Sequence, residues 1–151
     1  MQENEYKGAY NSINERRCVF EKAVLSRCCS CVKAQRFNLA DREGVACQSQ
    51  SALVLCQTLL EQLRQNARFA LHEVHLIGPL PHAKEIKVQN GGLLGLQRIA
   101  LPDLALELKV ENIHGLISIA INNFTNLDNL PYDQIVQSIA GYEIRPKRSR
   151  R

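Results

Sequence analysis

The chain has no tryptophan and one methionine, and aromatic residues fill only 5% of its 151 positions. A core therefore has to be assembled from Leu, Ile, Val and Ala. No apolar run approaches the ~18–20 residues of a membrane span. The opening MQENEYKGAYNSINERR lacks the apolar stretch of a secretion signal. These absences predict a cytoplasmic protein without a membrane span, in a compartment where structural disulfides are uncommon. Internal repeats and low-complexity segments are also missing. No Ser/His/Asp order or paired carboxylates stand in a convincing context, so an independent enzyme is not the favoured reading. Asn90-Gly91-Gly92 and Gly95 are followed by no Gly-Lys-Ser/Thr, which excludes a phosphate loop.

Charge is unevenly shared. Residues 1–71 carry ten Lys/Arg against seven Asp/Glu, and residues 72–144 carry four against eight. The last seven residues, RPKRSRR, add five positive charges, Arg145, Lys147, Arg148, Arg150 and Arg151. The overall +4 is thus the work of the tail, and the body is not basic. Any contact with nucleic acid or an acidic partner has to run through the tail or the cysteine-rich half. A protein partner is expected in either case.

What the chain does have is cysteine in one place. Cys18, Cys28, Cys29, Cys31, Cys47 and Cys56 lie within 39 residues, and residues 57–151 contain none. The spacing is C-x9-C-C-x-C-x15-C-x8-C. Cys28 and Cys31 form a C-x2-C pair, which presents two sulfurs from one tight turn. A zinc ribbon needs a second such pair, and Cys47-x8-Cys56 is too wide for a knuckle. The four histidines, His72, His75, His82 and His114, lie outside the cysteine stretch and complete no Cys2His2 finger. An iron–sulfur cluster fits the irregular spacing better, because thiolates from a loop and two helices can reach a body several ångströms across. Cys47 precedes a helix N-terminus, whose dipole favours negative charge. Arg16, Arg17, Arg27, Lys33, Arg36 and Arg42 stand near in sequence to offset the charge of a cluster. All six cysteines are candidates for cofactor binding. The ligand set read from the sequence is Cys31, Cys47 and Cys56 with one of Cys18, Cys28 and Cys29.

Element patterns predict an α+β chain forming one domain over 1–151. Residues 12–71 read as a cysteine-rich helical half, two main helices around the metal site. Residues 72–144 read as an α+β half with a small, mostly antiparallel sheet and a C-terminal helix, and 145–151 as a flexible basic tail. Residues 1–11 read as a loose leader. Ser12-Ile13-Asn14-Glu15 matches a capping box opening a helix over 13–27, with Cys18 near its middle. Residues 28–48 show no clean period, and Gly44 marks a position of special dihedrals. Ser49 caps the strongest helix, 50–71, whose stripe is Leu55, Cys56, Leu59, Leu60, Leu63 and Ala67. Strands are expected at 73–77, 85–89 and 93–100, with Asn90-Gly91-Gly92 as a hairpin turn. Alternating Leu104, Leu106, Leu108 and Val110 predict another, and the branched residues of 113–124 lean to strand. Pro131 opens a final helix that buries Ile135, Val136 and Ile139 and stops at Gly141.

Two functions follow from this. The first is a small cytoplasmic iron–sulfur protein acting in electron transfer, redox sensing or as an accessory subunit of a redox assembly. The alternative is a zinc-stabilised interaction or nucleic-acid-binding module using the basic tail.

Overall fold

In the computed structural model the described residues are 3–73 and 78–144. The basic tail and residues 74–77, most of the strand expected at 73–77, lie outside them. Helix α1 (Glu3–Ile13) is followed by an irregular stretch and a short α2 (Glu21–Leu25). Strands β1 (Ala34–Leu39) and β2 (Arg42–Cys47) form a two-stranded antiparallel sheet, in register from Ala34 opposite Cys47 to Leu39 opposite Arg42. Helix α3 (Gln50–Ala67) comes next. Then α4 (His82–Ile86), a π-helical turn (Lys87–Gly91) and α5 (Gly92–Ala100) run on from one another. Helices α6 (Ile113–Phe124) and α7 (Tyr132–Gly141) complete the chain. Among the described residues no helix is long and apolar enough to cross a membrane.

The mixture of helices and a small antiparallel sheet agrees with the α+β reading, but the elements are distributed the other way round. The sheet lies in the cysteine-rich half, and every described element of 82–141 is helical. At the N-terminus, Ser12–Glu15 marks the end of a helix instead of its start, since the Asn14 N–H bonds back to Tyr10 O at 2.9 Å. The expected helix over 13–27 yields to pairing with β2. Cys18 N–H donates to Val45 O at 3.0 Å, Cys47 N–H donates to Arg16 O at 2.7 Å, and Asn14 Nδ2 donates to Val45 O at 2.9 Å. A buried carboxylate locks this stretch down. Glu21 accepts from Val45 N–H at 2.8 Å, from the Tyr10 hydroxyl, and from Arg17 Nη2 at 2.8 Å.

The hairpin turns at Ala40 and Asp41, both with positive φ (51° and 69°), the signature of a type I′ connection. Ala-Asp is a weak signal for it, and so 28–48 has no readable period. Gly44 is there for space and has no left-handed dihedral. A Cβ on it would stand 2.5 Å from Phe37 and 2.7 Å from Tyr10.

Helix α3 follows the sequence closely. Ser49 caps it by accepting from Ala52 N–H at 3.2 Å, and Leu59, Leu60, Leu63 and Ala67 are buried. The glycines of 91–95 do not make a hairpin. Added Cβ atoms would meet Ile139 Cα at 2.7 Å from Gly91, Leu63 at 2.8 Å from Gly92 and Ser138 at 2.8 Å from Gly95. They let α5 and the π turn lie directly against α7 and α3. Buried Glu85 accepts from Arg64 Nε at 3.0 Å, Gln89 Nε2 at 2.8 Å and Leu80 N–H at 3.0 Å, holding α4 to α3. The alternation at 104–110 finds no sheet. Leu106 and Leu108 are exposed, and Val110 alone bridges to Cys29. Helix α6 buries Ile113, Leu116, Ile117 and Ala120 at helical spacing, so the branched residues expected to favour strand pack as one helix face. Helix α7 opens after Pro131 and buries Tyr132, Ile135 and Ile139. One core cluster joins Phe20 and Val45 to Leu63, Leu96, Ile117 and Ile139.

Candidate metal centre

Four cysteines from four separate pieces of backbone line one cavity. Cys18 comes from the stretch paired with β2, and Cys31 from a tight turn before β1, closed by Ala34 N–H to Cys31 O at 3.1 Å. Cys47 ends β2, and Cys56 lies on α3. The hairpin register fixes the relation between two of these segments, because Gln48 N–H donates to Lys33 O at 2.8 Å. Arg16 Nε donates to the Cys47 carbonyl at 3.0 Å, and the Cys47 thiol donates to Ser49 O at 3.1 Å. The remaining wall is apolar, from Val19, Phe20, Ala34, Ala46, Ala52, Leu53 and Ile113, with Lys33 and His114 as the polar members. His114 arrives because Ile113 N–H, at the start of α6, donates to Ser30 O at 2.8 Å. Nothing in the sequence signals that approach, which spans some 80 residues.

The cavity holds about 350 Å³ of empty space with its open mouth included, but only about 20 Å³ can take the centre of a water molecule, the room of about one water. Among the described residues no group of three or more His, Cys, Asp or Glu side chains is arranged to hold a metal ion. The four cysteines therefore line a common space without forming such a group, and a space this small admits an inorganic core only if their side chains move outward. The sulfurs nevertheless sense each other. Burial pushes the Cys18 thiol up to about 12, with Cys31 and Cys47 adding to the shift. Burial likewise pushes Cys56 up to about 12, and Cys18, Cys31 and Cys47 contribute. At neutral pH the Cys18 and Cys56 thiols hold their protons. A bound cation reverses that balance, since thiolates are stabilised by metal and protons are released. The donor set fits a thiolate-ligated metal or cluster in its chemistry.

Cys28 and Cys29 do not line this cavity. The Cys28 thiol is 4.0 Å from Leu108 O, and the neighbouring Cys29 and Tyr142 hold it below its ordinary value, while Cys28 and burial push Cys29 up. The adjacent Cys28-x2-Cys31 spacing thus divides between two environments. Most of the nearby arginines are engaged elsewhere. Arg27 and Arg36 pair with Glu43 at 3.2 and 3.4 Å, Arg42 with Glu3 at 2.9 Å and Arg17 with Glu21 at 2.8 Å. Lys33 and Arg16 are the cationic residues that touch the centre or its backbone.

No family model matches the chain, and no curated protein or solved structure shows a significant similarity to it.

Proposed function

We propose that the chain is an iron–sulfur-cluster-binding protein, with Cys18, Cys31, Cys47 and Cys56 as ligands, that serves in electron transfer, redox sensing or as an accessory subunit of a redox assembly. The observation that carries this reading is the convergence of four cysteines, spread over 39 residues, on one largely apolar cavity. An inorganic core several ångströms across can bridge thiolates from separate segments, whereas a tetrahedral ion with bonds of about 2.3 Å asks for closer sulfurs. The apolar wall limits water at the thiolates, and Lys33 places a positive charge at the cavity to offset the negative charge of a thiolate-bound centre.

Anaerobic purification with metal analysis and a visible spectrum tests it. Iron and sulfide in near-equal amounts, with charge-transfer absorbance lost on exposure to air, is the expected result. Replacing any one of Cys18, Cys31, Cys47 and Cys56 by Ser should remove most of the iron, whereas Cys28→Ser and Cys29→Ser should keep it. A colourless protein carrying stoichiometric zinc sinks the proposal, as does equal loss of iron in all six variants.

A further inference from the structure

A second cavity lies along α3, and the proposed centre does not use it. It is an open groove of about 420 Å³, a size that suits a small organic molecule. Leu53, Gln57 and Arg64, on one side of α3, line it with residues of the 15–22 stretch, α4 and the π turn. Leu53 and Arg64 are separated by about 16 Å of helix, so the groove is long. Cys18, Val19 and Leu53 also line the four-cysteine cavity, which puts one end of the groove against that centre. Two arginines on the groove are each held edge-on by a buried carboxylate. Arg17 donates from Nε and Nη2 to Glu21 Oε1 at 3.2 and 2.8 Å. Arg64 donates from Nε and Nη2 to Glu85 Oε1 and Oε2 at 3.0 and 3.1 Å. Other donors tie both carboxylates down, Val45 N–H and Tyr10 on Glu21, Leu80 N–H and Gln89 on Glu85. Among the described residues neither arginine hydrogen-bonds through Nη1, and that of Arg64 is 3.9 Å from Glu61. Lys22 is the third cation on the groove, its Nζ 2.7 Å from His82 Nδ1 with two further N–H donors left over. Exposed Glu15, which makes no ion pair among the described residues, opposes an anion there.

We propose that this groove binds a small dicarboxylate, one carboxylate on Arg17 and Lys22 and the other on Arg64. Guanidinium groups with spare N–H donors, fixed in orientation by a second partner, are suited to planar carboxylates. Two acidic groups are needed because the cations lie on separate elements along the groove, and a compact anion reaches one of them at a time. The buried carboxylates of Glu21 and Glu85 are each matched by their own arginine, which leaves Lys22 as the uncompensated charge and Glu15 as its counterweight. Binding makes and breaks no covalent bond, and it stands whichever metal the four-cysteine centre holds.

Straight-chain dicarboxylates from malonate to pimelate are the probes, titrated into the purified full chain by calorimetry, with butyrate and sulfate as controls. A preferred chain length is expected, bound at least about tenfold more tightly than either control. Arg17→Gln should weaken that binding about tenfold or more, the effect of one charge-assisted hydrogen bond. Lys22→Gln should weaken it about fivefold and Glu15→Gln should tighten it. No binding of any member at about 10 mM, equal binding of butyrate or sulfate, or unchanged affinity in both Arg17→Gln and Lys22→Gln overturns the inference. Arg64 is left intact, since truncating it strands Glu85 in the interior. If Arg17→Gln fails to fold by circular dichroism, Lys22→Gln and the chain-length series on the unaltered protein still decide. Iron content read on the same samples reports on the four-cysteine centre separately.

Discussion

The stretch that carries the cysteines and the helices behind it are held together in opposite ways. Residues 14–47 bury few large side chains, and long-range hydrogen bonds to β2 and the carboxylate of Glu21 fix their path. Helices α3 to α7 instead interlock at van der Waals distance, with glycines at 91, 92 and 95 admitting neighbouring backbone and side chains. Each region has one buried carboxylate, but Glu21 answers to an arginine that is 58% exposed and Glu85 to one that is 17% exposed. The lesson is a division of labour. A close-packed helical body tolerates little change, and a lightly packed stretch leaned on it can present sulfur to a shared cavity.

Removing Glu85 should hurt most. Glu85→Ala strands the Arg64 guanidinium and the Leu80 N–H in the interior, and a loss of about 3–5 kcal/mol is expected in urea unfolding. A loss below about 1 kcal/mol shows that the helical body does not depend on this pair. Close packing is probed next. Gly91→Ala puts a methyl 2.7 Å from Ile139 Cα and should cost about 1–3 kcal/mol. Gly141→Ala, with nothing within 4 Å, should be neutral or gain up to about 1 kcal/mol. Similar values for the two erase the contrast between packed and open positions.

Metal removal, on the proposed function, should act on one region alone. Amide exchange should quicken across residues 14–20 and 34–56 and stay slow in α5 and α6, as mass spectrometry on digested protein would report. Uniform quickening merges the two regions into one unit. The smallest effect expected is on pH. Cys18 and Cys56 rise from 9.0 to about 12 on folding. The folded metal-free chain therefore binds protons more tightly than the unfolded one, so their contribution is complete below about pH 9 and is lost as pH rises toward 12. Urea midpoints should fall between about pH 9 and 10, below the ordinary tyrosine value of 10.0. The slope should flatten in Cys18→Ser and Cys56→Ser, and an unchanged slope means these thiols are not buried together.

Legibility in the sequence followed how local each signal was. Helix α3 was readable because Ser49 and a leucine stripe state both its start and its inward face. Helix α7 was readable from Pro131 and Gly141. The glycine cluster at 91–95 misled because the same residue serves a turn and a close helix contact, and only the neighbouring helix tells them apart. The leucines at 104–108 alternate like a strand yet pair with nothing, leaving Leu106 and Leu108 exposed. The branched residues of 113–124 point to a strand, and burial of one helical face against the core makes the segment a helix instead.

By itself the sequence determined that six cysteines crowd into 39 residues, that a capped helix closes the stretch, and that the body carries little net charge without its tail. Only the tertiary structure decided which sulfurs are neighbours. Cys28 and Cys31 are three residues apart and face different surroundings, while Cys18 and Cys56 come from distant segments to one cavity. The reason is physical: hairpin register, the pairing of residues 16–18 with β2 and the docking of α3 all act across the chain, and none of them leaves a mark in residue spacing.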